Sequence, residues 1–469
     1  MNNLLPQPFV DYTRQLFGDE RFERYLQSFE EEPPVSIRLN PLKTSPSTSQ
    51  GNTSPDPSQG GEGLRSDKQQ EAPAQQLLPL GEAGRGCPSP SGRSGGVPWC
   101  RHAYYLPKRP NFTMDPLLHA GCYYVQEAAS MFLDEVLRQL HEAYVSHQPS
   151  AIRPLTALDL CAAPGGKSTL LRTDLPKDCV LYSNEPVRNR ASILAENVLK
   201  WGYPNHIVTN NYPDAYRKSK LRFDLILCDV PCSGEGMFRK DPATIKEWSP
   251  QNVEKCWKLQ REIVDTAWSL LNEGGIMIYS TCTFNTKENE ENIRYFLEQY
   301  DARVLPIETQ PEWNITGSLL EGFTAPVYRF IPGISRGEGL FLCVLQKMGF
   351  RKSLPQEPTV SAVENNVSRR GKQGFPQGKP LNIIAQTPDE PISYPQAALS
   401  YPQALAYLRH EALALPDDTP RGLVEVCFEG HPLGLVKNIG TRANNLYPKE
   451  WKIKTTHIAD EYEPIIQQL

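Results

Sequence analysis

The sequence predicts an α/β protein: an open sheet with helices on both faces, an N-terminal α+β extension and a small β-rich C-terminal domain. Three observations carry that expectation. Between residues 151 and 349, short apolar runs (TALDLC, CVLYSNE, HIVTN, FDLILCD, GIMIYSTC, GLFLCVLQ) alternate with helical patterns, the signature of a wound parallel sheet. Two polar tracts, 44–98 and 350–382, interrupt the apolar pattern. The remainder, 383–469, turns to β-rich signals such as GLVEVCFEGHPLGLVK.

Taken in order, the extension (1–150) carries an amphipathic helix near 8–30 and another in QEAASMFLDEVLRQLHEAY. Residues 44–98 hold no aromatic residue, and 33 of the 55 are Gly, Pro, Ser or Gln. Such a tract buries too little apolar surface to offset its ordering entropy, so a disordered insertion is expected. The tract 350–382 reads as an interdomain linker before the C-terminal domain.

Composition narrows the function. No apolar run approaches the roughly 18–20 residues of a membrane span, and the N-terminus turns acidic too early for a signal peptide. The 11 cysteines are odd in number and lack CxxC spacing, so neither a disulfide framework nor a metal site is expected. These features describe a reduced, cytoplasmic protein. The net charge of −5 argues mildly against nucleic acid, but it averages unlike segments. Residues 431–457 hold five Lys/Arg against one Glu, with Tyr447 and Trp451 interleaved, a pattern that fits an RNA-contacting surface.

The first strand of the 151–349 region runs into CAAPGGKSTLL. A phosphate-binding loop needs glycine six residues before its lysine; here that place is Cys161, and Pro164 removes an amide. A P-loop NTPase is therefore the lesser alternative. A nucleoside ligand at the carboxyl ends of the strands fits better, with an acid closing the second strand to meet ribose hydroxyls. Glu185, 20 residues after Gly165, is that acid. Further on, CDVPCSGEG places Cys232 in a loop, because Pro231 and the glycines end the strand around it; loop cysteines beside an acid belong to sites more often than to cores.

CAAPGGK, Glu185, DVPCSGEGMFRKDP (229–242) and YSTCTFNTKENE (279–290), in that order, resemble the Sun-type RNA cytosine-5 methyltransferases. SIRLNPLK and HAGCYYVQEAASM resemble the segments preceding that catalytic domain. GHPLGLVKNIGTRANNLYPKEW is similar to the PUA-like end of the subgroup acting on small-subunit ribosomal RNA. The resemblance implies a Rossmann-like methyltransferase sheet and S-adenosyl-L-methionine, bound by Cys161, Ala162, Ala163, Pro164, Gly165, Gly166 and Lys167 with Glu185 and Asp229. It implies that Cys282 attacks carbon 6 of cytosine and that Cys232 assists product release. Asp229 would meet the base as well, and Lys167 would favour the Cys282 thiolate. The family's adenine-contacting aspartate is replaced by Tyr212, with Asn211 or Asp214 as substitutes. The implied partner is ribosomal RNA or the small subunit, met by a monomer without an obligate protein partner. Transfer RNA as substrate, or a non-catalytic assembly role, are the alternatives.

Overall fold

The computed structural model describes residues 5–44, 95–146, 154–349, 380–388, 392–455 and 461–466. The single helix expected near 8–30 is two, Gln7–Phe17 and Asp19–Gln27, broken at Gly18. Gly18 stands at φ +75°, a left-handed conformation that interrupts helical hydrogen bonding and that only glycine adopts cheaply. The bend turns Phe9, Phe17, Phe22 and Tyr25 onto Phe238, Trp248 and Phe284, so this hairpin covers the loops that carry the sequence motifs.

Strands β1 (Val35–Leu39), β2 (Ala103–Leu106) and β3 (Tyr123–Val125) form an antiparallel sheet of order β2-β1-β3. Buried Arg38 reaches out of β1 to Thr169 Oγ1 (2.7 Å) and the Gly166 carbonyl (3.2 Å), and its guanidinium lies 4.4 Å from the Trp201 ring. The SIRLN segment thereby fixes the extension to the helix behind the glycine turn. Most of the expected 44–98 insertion lies outside the described residues, but its ends are structured. Thr44 closes a short helix, Gly96 bridges Tyr104, and Val97 is fully buried in the main core. The polar average of the tract hid Val97, whose side chain anchors the return into β2.

The central sheet is built from β4 (Thr156–Asp159), β5 (Val180–Asn184), β6 (His206–Thr209), β7 (Phe223–Asp229), β8 (Leu271–Thr281), β9 (Ala302–Val304), β10 (Tyr328–Phe330), β11 (Leu340–Lys347) and β12 (Ile383–Gln386). The order is β10-β11-β8-β7-β4-β5-β6-β12, with β9 beside β11. Strands β4 to β8 are parallel and wind outward in both directions from β4, which makes the β4/β7 boundary the switch point where ligands bind. The parallel pattern expected throughout stops there. GLFLCVLQ (β11) is antiparallel to β8 and pairs with β10 across residues 331–339, too short a connection for the helical crossover that parallel pairing requires. Helices Phe132–Val145 and Gly166–Asp174 cover one face of the sheet; Pro250–Leu270 and Glu290–Gln299 cover the other.

The expected linker lies outside the described residues as far as 379. Its last residues and the start of the expected C-terminal domain belong to the central sheet, since β12 pairs with β6. Strands β13 (Gln396–Ala398), β14 (Gly422–Phe428), β15 (His431–Asn438) and β16 (Ala443–Asn445) then form their own sheet. That sheet shares a core with the extension, where Leu117, Ala120 and Tyr123 join Leu405, Tyr407 and Val426. The aromatics expected to face RNA are spent on packing: Tyr447 is buried against Tyr407, and Trp451 packs edge-on against Tyr447 and beneath Lys200. Lys437, Arg442, Lys449, Lys452 and Lys454 do remain exposed. Among the described residues, no helix is long and apolar enough to cross a membrane.

Candidate active site

The glycine turn begins where β4 ends. The Leu160 amide donates to Leu227 in β7 and the Ala162 amide to Asn184 in β5, so the segment Cys161–Ala163 crosses the switch point. Gly165 (φ +116°) caps the next helix, and a side chain there would press on Leu194 at 3.2 Å. Asn197 donates to the Pro164 carbonyl and Arg190 to that of Ala163, which stiffens the turn from outside. Glu185 follows β5, buried, accepting from the Val187 amide (2.9 Å) and lying 3.4 Å from Arg190.

Asp229 ends β7 and pairs with Lys167 at 2.9 Å, while its other oxygen accepts from Ser280 of β8 at 2.6 Å. Burial works against the Lys167 charge, but Asp229 outweighs it and the ammonium's pKa stands above its ordinary value. Cys282 also favours that charge, so the lysine lies within the field of the sulfur. Cys232 and Cys282 leave the ends of β7 and β8 and meet with their sulfurs 3.2 Å apart. The Cys282 amide donates to Cys232 Sγ at 3.3 Å. The contact with Cys282, then burial, raises the Cys232 thiol well above its ordinary value, so Cys232 keeps its proton. Gly236 locks the two loops together: its amide donates to the Cys282 carbonyl (2.8 Å).

Several participants were not expected from the sequence. Asp159, at the end of β4, accepts from Ser168 through one oxygen while the other is buried with no partner. Burial pushes its carboxyl up to about 7, against the Ser168 bond. Glu235 and Glu288, both buried, brace the cysteine loops. The latter two sit inside quoted motifs, SGEG and KENE, but nothing in their spacing marks them as buried.

The implied S-adenosylmethionine fits this donor set. Asp159, Glu185 and Asp229 line the strand ends against Lys167 and the outer, half-exposed Arg190, a balance that still suits a cationic ligand better than a polyphosphate. The orphaned Asp159 oxygen provides an acceptor beside the turn. Asn211 is engaged with Asn382, accepting from its amide (3.1 Å) and donating to its carbonyl (3.3 Å), and Asp214 pairs with Lys218 on the surface. Tyr212 is 76% exposed at the rim of a groove of about 420 Å³ that Asn210 and Pro380 also line. Among the described residues, no group of three or more His, Cys, Asp or Glu is placed to hold a metal.

Three family models match the chain. One described as 16S rRNA methyltransferase RsmB/F covers residues 153–346, the PUA domain of methyltransferase RsmF covers 395–453, and the N-terminal domain of 16S rRNA methyltransferase RsmF covers 89–128. The ribosomal RNA small subunit methyltransferase F of Erwinia tasmaniensis is 24% identical, over 95% of this chain and 96% of its own. Its counterpart from Cronobacter sakazakii is 28% identical, over 76% of this chain and 84% of that protein. The crystal structure of a methyltransferase homolog protein from Pyrococcus horikoshii shares the fold. It has a TM-score of 0.53 and 24% identity, covering 74% of this chain and 97% of that one.

Proposed function

The chain belongs to the RsmB/F family of 16S ribosomal RNA methyltransferases, and on that premise we propose how its two cysteines methylate carbon 5 of a cytosine in small-subunit ribosomal RNA. The observation that carries the reading is the 3.2 Å sulfur pair set beside the Asp229–Lys167 ion pair at the switch point. When bound, S-adenosylmethionine supplies the methyl group; residues 161–167, Glu185 and Asp229 would hold it.

Carbon 5 of cytosine is too weak a nucleophile unaided. The Cys282 thiolate adds to carbon 6, and the displaced ring electrons make carbon 5 an enamine carbon, which is reactive. Lys167 favours the thiolate by charge, while Asp229, held by Lys167 and Ser280, presents its carboxyl to the polar edge of the base. Cys232 keeps its proton while Cys282 is an anion and acts only later, when the methylated ring must be released. The base has to be unpaired or flipped out, because carbon 6 is unreachable in a stack. The PUA-type domain contributes RNA affinity through its exposed basic residues.

Transfer of tritium from labelled cofactor to small ribosomal subunits, followed by bisulfite sequencing of ribosomal and transfer RNA with and without the protein, tests this. A new protected cytosine in small-subunit RNA is expected. Label only in transfer RNA, or none in any RNA, would overturn it.

A further inference from the structure

The two cysteine loops are cross-braced by buried carboxylates, each standing on one loop and holding the backbone of the other. Glu235, on the Cys232 loop, accepts from the amides of Phe284 (2.7 Å) and Asn285 (2.9 Å), just past Cys282. Glu288, on the Cys282 loop, accepts from the amide of Ser233 (3.0 Å), just past Cys232, and from Gln260 Nε2 (2.7 Å). The same Gln260 nitrogen donates to the Pro231 carbonyl (2.9 Å). One Gln260–Glu288 unit therefore grips the backbone on both sides of Cys232. Asn285 Nδ2 joins the two carboxylates, 3.0 Å from Glu235 and 2.8 Å from Glu288. Withdrawing two carboxylates from water is costly, and the backbone amides that they hold across the loops offset that cost.

We propose that Glu288 is a positioning residue for product release: it holds the Cys232 sulfur in place to act on the methylated base. The inference rests on the release role given to Cys232 above. In that step the proton on carbon 5 passes to the Cys232 thiolate. Its bonding pair becomes the carbon 5–carbon 6 double bond, and the carbon 6–sulfur pair returns to Cys282 as thiolate. Cys232 first loses its own proton to solvent, after Cys282 has become a neutral thioether. The bond to Cys282 is the largest influence keeping Cys232 protonated in the resting site, and thioether formation removes it.

Glu288→Met separates this role from a general structural one. Oε2 accepts from both the Ser233 amide and Gln260 Nε2 while Oε1 accepts from Asn285, so a glutamine oxygen at the Oε2 place would keep the grip, whereas methionine of similar length carries no oxygen acceptor and loses it on both sides. The full chain with cofactor and small-subunit RNA is read in two ways: single-turnover methyl transfer, and covalent protein–RNA adduct on denaturing gels. The expected result is first-turnover methylation within about threefold of native, with steady turnover lower by about tenfold and adduct correspondingly raised. Gln260→Met, which frees the Pro231 side while keeping volume, should show the same pattern. If both variants lose activity without adduct, or lose their folded transition, the braces are structural and the inference fails. Cys232→Ala is the control: if it accumulates adduct and the Glu288 and Gln260 variants do not, only the inference falls. If Cys232→Ala forms none, the release role itself is wrong and the inference goes with it.

Discussion

Gly339→Ala should damage catalysis as well as stability, although Gly339 lies outside the four motifs that carry the chemistry. Its backbone crosses that of Gly236, and a Cβ on Gly339 would sit 2.4 Å from Gly236 Cα and 2.9 Å from Phe284 Cε1. Carbon atoms settle near about 3.5 Å, so one backbone must retreat by about 1 Å. Gly236 stands in a single short turn whose amide is bonded to the Cys282 carbonyl, so the retreat carries Cys282 with it. Misplacing a reacting group by about 1 Å lowers the rate about 10²-fold, whereas overpacking costs about 1–3 kcal/mol. Single-turnover transfer of labelled methyl, beside a urea unfolding curve, measures both. A Gly339→Ala protein with transfer within twofold of native would show that the two loops are not mechanically joined.

Two further outcomes follow from charge. Burial lifts Asp159 and Glu288 to about 7 in the folded protein, so between about pH 4 and 7 the native state holds more protons than the unfolded chain and stability falls as pH rises. Asp159→Asn should flatten that fall by about 2.6 kcal/mol between pH 5 and pH 8, read from unfolding curves at those two values; equal falls in the two proteins would contradict it. Replacing Lys437, Arg442, Lys449, Lys452 and Lys454 by alanine should reduce the log–log salt slope of RNA binding by roughly 0.7–0.9 for each phosphate the protein ceases to neutralise. An unchanged slope would mean that this face meets something other than RNA. Point substitutions serve better than removal of 383–469, because β12 belongs to the central sheet and the C-terminal core is shared with the extension.

What the sequence made legible was whatever repeats locally. The strands β4 to β8 are continuous apolar runs, so their number and places along the chain could be read directly, and Asp229 and the two cysteines lie at or just past strand ends where that pattern places them. Long-range pairing was not legible. The antiparallel β11 has the same apolar run as a parallel strand, and nothing in that run records its direction against β8. The break at Gly18 was visible as a residue but not as a backbone conformation. Tyr447 and Trp451 looked available for RNA because interleaving with lysines says nothing about which side of a loop or short turn faces the core. Asp159, Glu235 and Glu288 escaped for a related reason: an acidic residue in a motif reads as solvated until the partners that bury it are known.

Opposite roles for the two adjacent sulfurs are the central claim, and one gel tests it most directly. Native protein, Cys282→Ala, Cys232→Ala and the double variant are incubated with cofactor and small-subunit RNA, denatured, and examined for RNA that migrates with protein. Cys232→Ala is predicted to attack, methylate once and stall as a denaturation-resistant adduct, while Cys282→Ala and the double variant form none. Cys282→Ala should also lose methyl transfer by several orders of magnitude, each tenfold being about 1.4 kcal/mol of barrier. Adduct in Cys282→Ala and none in Cys232→Ala would contradict the account, since it would make Cys232 the nucleophile.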